Sequence, residues 1–151
     1  MTGPALDLPT AAGTTVAPAT VDVEALPLHR FIGARLLDPQ HPEVGLTFTV
    51  HPGIEGRAGR LNFGAVSVII DAAAYLALSP SLSAGEDAVS HDIHESVLRP
   101  VLSGQVVEVR GRLVQRGRRV AFVDVEASVE GQLIATARIT KTIVEAPPAE
   151  G

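Results

Sequence analysis

The chain has 151 residues, no cysteine, a net charge of −5 and 3% aromatic residues. That length suits one domain, which can bury about 70% of its unfolded surface without a covalent staple. The missing cysteines exclude disulfides, thiolate metal sites and a cysteine nucleophile, and the acidic balance with few stacking rings argues against a nucleic-acid partner.

Residues 1–20, MTGPALDLPTAAGTTVAPAT, show neither a helical nor a strand period and are expected to form a disordered tail. They contain no Lys or Arg and no apolar core of a leader, so no secretory signal is expected and the cytoplasm is the expected location. Residues 146–151 read as a second loose end, which leaves 21–145 as the ordered domain. Within it, residues 25–31 suit a short helix around Pro27, and 32–37 a strand. DPQHPE is a turn punctuated by Pro39 and Pro42. Residues 44–51 alternate, with Val44, Leu46, Phe48 and Val50 on one face. HPGIEGRAGR matches neither phosphate-binding glycine pattern and reads as a connecting loop.

The segment NFGAVSVIIDAAAYLALS follows. About 16 apolar residues from Phe63 predict a buried central helix. It is too short and carries Asp71, so a membrane span, which needs about 20 clean apolar residues, is not expected. Four strands are predicted after it, over 88–98, 105–115, 120–129 and 133–144, with Gly117 and Gly131 turning the last two hairpins. One face of the last three strands is apolar: Val107, Val109 and Leu113, then Ala121, Val123, Val125 and Ala127, then Leu133, Ala135, Ala137 and Ile139. The opposite face carries Glu108, Arg110, Arg112, Asp124, Glu126, Arg138 and Thr140. Such a one-sided antiparallel sheet must cover something apolar. The pattern therefore predicts an α+β domain, a curved antiparallel sheet wrapped around one long helix.

Asp71 is the anomaly of that helix. An unpaired buried carboxylate costs several kcal/mol, and aspartate mid-helix costs roughly half a kcal/mol more. Ser67, Asp71 and Tyr75 follow at i, i+4 and i+8, so the polar side chains of the segment share one stripe. Such a stripe is expected to line a cleft or a subunit contact. The helix start at Phe63 and Gly64 offers free N–H groups that suit a developing oxyanion.

These residues resemble the hot-dog fold, and within it the acyl-CoA thioesterases of the phenylacetic-acid-pathway and 4-hydroxybenzoyl-CoA type, over residues 27–144. In that family the helix start reads N-x-x-G-x-x-H-G-G, followed by apolar residues and an acid. Counted back from the acid, Asp71 matches the catalytic carboxylate, Phe63 the glycine that donates the oxyanion-hole N–H, and Gly64 the second glycine. Asn62 stands where the family has His, and near Gly56 the chain lacks the family's Asn or Gln. AVSHDIHESVLRP resembles the third-strand pattern, with Ser90 at a Ser or Thr that helps orient the attacking water. The resemblance implies an acyl-CoA thioesterase with Asp71 as nucleophile or general base. It implies no cofactor beyond the coenzyme A of the substrate, and a site formed across a dimer in which Ser90 serves the Asp71 of the other subunit. The partner is an acyl-CoA or an acyl carrier thioester. The alternative is a non-catalytic hot-dog protein that binds an acyl group or serves assembly.

His91 and His94 should point to opposite faces of a strand and so cannot chelate one ion, and no metal site is expected. Glu95 shares inward parity with Ile93 and Val97, whereas His94 shares the opposite face with Ser90, Asp92 and Ser96. No serine-hydrolase elbow occurs. Arg116, Arg118 and Arg119 of the QRGRR hairpin would suit the phosphates of coenzyme A, with Asn62, Ser67 and Tyr75 completing a substrate-binding set. The strand at 88–98 would leave a bare edge, so it is expected to pair with its copy in a homodimer, and two dimers could stack.

Overall fold

The computed structural model describes residues 21–147, so the tail expected over 1–20 and the last four residues lie outside the described residues. A short helix α1 (Pro27–Ile32) leads to β1 (Arg35–Leu36) and β2 (Leu46–Thr49). Two single 3-10 turns, Pro52–Ile54 and Arg57–Gly59, make up the loop ahead of the long helix α2 (Phe63–Leu78). Then come β3 (Glu86–Val97), β4 (Val106–Arg116), β5 (Val120–Val129) and β6 (Gln132–Glu145). All six strands form one antiparallel sheet in the order β1-β2-β4-β5-β6-β3. The sheet and its single long helix are the hot-dog architecture.

Packing follows the binary pattern. Val66, Ile69, Ile70, Ala73, Ala74 and Leu78 of α2 are buried against Val107, Val109, Val123, Val125 and Ile139 of the sheet. Phe63–Ser81 is long and apolar enough to cross a membrane by composition, but here the sheet covers it as a core helix. Gly111 of β4 sets how closely α2 sits. A Cβ there would lie 2.6 Å from the Ala73 carbonyl oxygen and 2.7 Å from the Ala77 Cβ. The β5–β6 hairpin turns through Glu130 (φ 49°) and Gly131 (φ 76°), the two left-handed residues that a tight hairpin needs. Gly117 differs from expectation: it is not left-handed, and its N–H donates to the Val120 carbonyl at 2.8 Å.

Three β-bulges correct the faces read from alternation. In β3 the register passes from Ser90↔Lys141 to Asp92↔Thr140, which leaves His91 as the extra residue. One extra residue inverts parity, so Ser90 lies inward with Ile93 and Glu95, and not with Asp92 and His94. His91 hydrogen-bonds Thr142 Oγ1 (2.6 Å), on the outer side that His94 also faces, so the two histidines do not point to opposite faces. In β4 the extra residue is Val114, which turns Arg116 inward opposite Ala121. In β6 it is Ile134, which is buried in the place expected for Leu133.

Candidate active site

The stripe on α2 meets β3 rung by rung. Ser67 Oγ donates to Glu95 Oε2 (2.7 Å) and lies 3.1 Å from the Phe63 carbonyl oxygen. Ser90 Oγ donates to Asp71 Oδ1. Tyr75 Oη donates to Asp87 Oδ1 (2.9 Å). Helical spacing on one side and the bulged strand on the other bring these pairs into register, so the stripe forms a polar seam that borders a cavity at Asp71 and Tyr75.

Asp71 is neither buried nor unpaired. Its side chain is 44% exposed, because α2 reaches the margin of the sheet here. The Lys141 ammonium, whose side chain is 3% exposed, donates to Asp71 Oδ1 at 2.8 Å and to the Asp71 carbonyl oxygen at 3.2 Å. It also lies 5.7 Å from the centre of the Tyr75 ring, within cation–π range. Oδ1 is thus held by two donors, and Oδ2 has no hydrogen bond among the described residues. Within the chain, Ser90 reaches its own Asp71.

Sequence reasoning missed Lys141, yet a signal was there. Ala135, Ala137, Ile139, Lys141 and Ile143 alternate along the inward face of β6. A lysine in an apolar row needs a buried partner, and Asp71 is the carboxylate opposite. Glu95 was flagged by its inward parity. The structure gives it Ser67 as partner through Oε2 and leaves Oε1 buried with none among the described residues.

At the helix start Asn62 is the N-cap, and its Oδ1 accepts the Gly64 N–H at 3.0 Å. That removes Gly64 from the free donors expected there and makes Asn62 a capping residue. The Phe63 N–H has no acceptor among the described residues, and the Phe63 ring packs against the core. Phe63 and Asp71 lie on one helix eight residues apart, which is about 12 Å.

Tyr75 is the most perturbed group of the site. Burial, followed by its hydrogen bond to Asp87 and the charge of that carboxylate, pushes the phenol up to about 12. A cavity of about 420 Å³ lies beside Asp71, Tyr75, Ser90 and Lys141, roofed by Val21, Val23 and His29. His29, which no motif suggested, is fixed there by Nδ1 at 2.7 Å from the Val23 carbonyl oxygen.

The arginine hairpin does not act as one unit. Arg116 is drawn inward by the Val114 bulge and is paired with Glu86. Arg118 and Arg119 remain exposed beside Glu86 and Glu145. Among the described residues no three His, Cys, Asp or Glu side chains are grouped to hold a metal ion.

Comparison with known proteins gives this geometry a family. The family model of the thioesterase superfamily matches residues 58–141, more than half of the chain and including α2, Asp71, Ser90 and Lys141. A thioesterase from Haemophilus influenzae superposes with a TM-score of 0.74 at 22% identity, over 85% of this chain and 90% of that one. A thioesterase-like, phenylacetic-acid-degradation-related protein from Ralstonia eutropha gives 0.66 at 25% identity, over 78% and 90%. A Streptococcus mutans protein bound to acetyl CoA gives 0.60 at 26%, over 66% and 79%. No curated protein matches. With its matched span and its sheet-wrapped helix, the chain belongs to the thioesterase superfamily.

Proposed function

We propose that this protein hydrolyses acyl thioesters of coenzyme A, with Asp71 as the general base or nucleophile. The observation that carries the reading is the asymmetry of the Asp71 carboxylate. Oδ1 is fixed by Ser90 and Lys141, and Oδ2 is open. A carboxylate oriented through one oxygen can take a proton from water, or attack the thioester carbon, with the other. The Ser90 hydroxyl and the Lys141 side chain orient the carboxylate through Oδ1.

The tetrahedral intermediate also needs a donor for its oxyanion, about 3 Å from that oxygen. The Phe63 N–H of the same chain, about 12 Å along the helix from Asp71, cannot serve the carbon that Asp71 attacks. A second copy supplies it. β3 is a 12-residue edge strand, and Val89, Ile93 and Val97 along it are exposed. Antiparallel pairing of two such edges covers these side chains and sets two α2 helices side by side in opposite directions. The Phe63 of one chain then approaches the Asp71 of the other. Exposed Arg118 and Arg119 are the residues of the hairpin left to meet the coenzyme A phosphates.

The Asn62 cap supports a second reading, a non-catalytic acyl-binding protein, because it occupies the Gly64 N–H. Thiol release from a panel of acyl-CoAs separates the two. Turnover that disappears in Asp71→Asn supports the enzyme. Tight binding of acyl-CoA without thiol release supports the binder.

A further inference from the structure

A second cavity adjoins the one at Asp71. It holds about 600 Å³ and is lined mainly by Val21, Val23, Leu36, Tyr75, Leu76 and Leu82. Val21, Val23 and Tyr75 line both spaces, so the two meet at the Tyr75 ring, one helical turn beyond the catalytic carboxylate. Among the described residues the charged side chains at its wall are Asp22 and Glu43, and no lysine or arginine lines it.

We infer that this cavity takes the acyl chain of the substrate and that the preferred substrates are thioesters of unbranched aliphatic acids of medium length. The inference rests on the thioester-hydrolase reading. Acyl-CoA has two halves, and the wall chemistry selects between them. The nucleotide half is polyanionic and is repelled by Asp22 and Glu43 where no cation compensates. The alkyl half needs only apolar area, which Val21, Val23, Leu36, Leu76 and Leu82 provide. From Asp71 to Ser79, at the far wall, is eight residues of helix or about 12 Å, the reach of roughly ten carbons at ~1.5 Å per bond shortened by the zigzag. A flat aromatic acid would stop at the Tyr75 ring and leave the deeper part unfilled. Tyr75 is therefore a specificity-determining residue. Its hydroxyl is anchored on Asp87 and its ring beneath Lys141, which fixes the width of the passage.

The test is a chain-length series on the full-length protein: acetyl-, butyryl-, hexanoyl-, octanoyl-, decanoyl- and phenylacetyl-CoA, followed by thiol release. Wild type should gain up to about 4-fold in kcat/KM per added methylene through the middle of the series. Leu36→Trp, which fills the cavity from β1 and touches none of the catalytic groups, should keep butyryl turnover and flatten the rise. Retained butyryl turnover shows that the variant is folded. Binding is read separately by isothermal titration calorimetry with a non-hydrolysable decanoyl thioether of coenzyme A. Turnover that is flat or falls with chain length, or that favours phenylacetyl-CoA, overturns the inference and leaves the hydrolase reading standing. A cavity already filled by another part of the chain, or by a second subunit, would give that same flat profile. If no thioester is cleaved, the hydrolase reading fails. The cavity assignment then stands only if the decanoyl thioether binds wild type and not Leu36→Trp.

Discussion

The sheet carries an acid–base pair on each of its two faces, and the two are built differently. On the outer face Asp124 accepts from Arg138 Nε at 2.7 Å and from Arg112 at 2.9 Å. All three of these side chains are in contact with water. On the inner face Asp71 meets Lys141 at a similar 2.8 Å, but the lysine is almost entirely enclosed. Solvent can replace either partner outside, whereas inside it can reach the carboxylate alone. The outer pair keeps a polar face wetted, and the inner pair fixes one oxygen of a carboxylate and frees the other. Burial of a single partner is what turns an ordinary ion pair into a candidate catalytic device.

The largest expected effect tests that assignment directly. Asp71→Asn keeps the shape of the side chain and removes the base, so kcat on a good acyl-CoA should fall by at least about 100-fold. Full turnover in this variant, measured by thiol release, would end the catalytic assignment.

How much of this was legible in the sequence follows from where alternation is a reliable guide. The 16-residue helix was bounded correctly because its composition and length leave no other choice. Asp71 stood out for the same reason, as a charge within an apolar run. Faces were legible only up to the bulges. One extra residue at His91, Val114 or Ile134 inverts every position beyond it, so Ser90 and Arg116 were assigned the wrong surroundings. Nothing in residue type marks those bulges, because they arise from the sheet's need to curve around α2. Lys141 was legible in principle, since it breaks an apolar row after the last inward position that alternation had identified.

Stability gives the next contrast. In Asp71→Ala the enclosed ammonium of Lys141 loses its counterion, and the expected loss is about 2–4 kcal/mol. In Lys141→Met the stranded partner is the half-exposed carboxylate, which water can solvate, and the methionine retains the packing of the lysine stem. That loss should be at most about 1 kcal/mol, near the range of surface pairs. Combining the two changes should restore most of what Asp71→Ala loses. Urea unfolding of the three variants gives the answer, and equal losses in the two single variants would contradict the one-sided burial.

Tyr75 extends the comparison to pH. Its folded value of about 12 lies above the ordinary 10.0. The stabilisation it provides is therefore complete below about pH 10 and is lost as pH rises through about 12. Tyrosinate absorbance reads this group alone, because the chain has one tyrosine and no tryptophan. The midpoint should lie near 12 in wild type and move down in Asp87→Asn, which removes the acceptor's charge. A wild-type midpoint at 10 would show that the seam is open to water.

The smallest effect belongs to the outer pair. Asp124 is held below the usual carboxylate range, chiefly by the Arg138 hydrogen bond, with the charges of Arg138 and Arg112 adding to it and burial opposing. Its contribution is present above the ordinary aspartate value and is lost as pH falls through the lower folded value. Exposure and salt screening keep that contribution small. Arg138→Ala should leave the Tm of the protein nearly unchanged at 0.15 M salt, and the remaining difference should vanish at higher salt. A large, salt-resistant loss would mean that water does not reach this face in solution. The outer surface of the sheet would then be covered by another copy, as in a stack of two dimers, and light scattering at micromolar concentration would show a tetramer that Arg138→Ala converts to dimers.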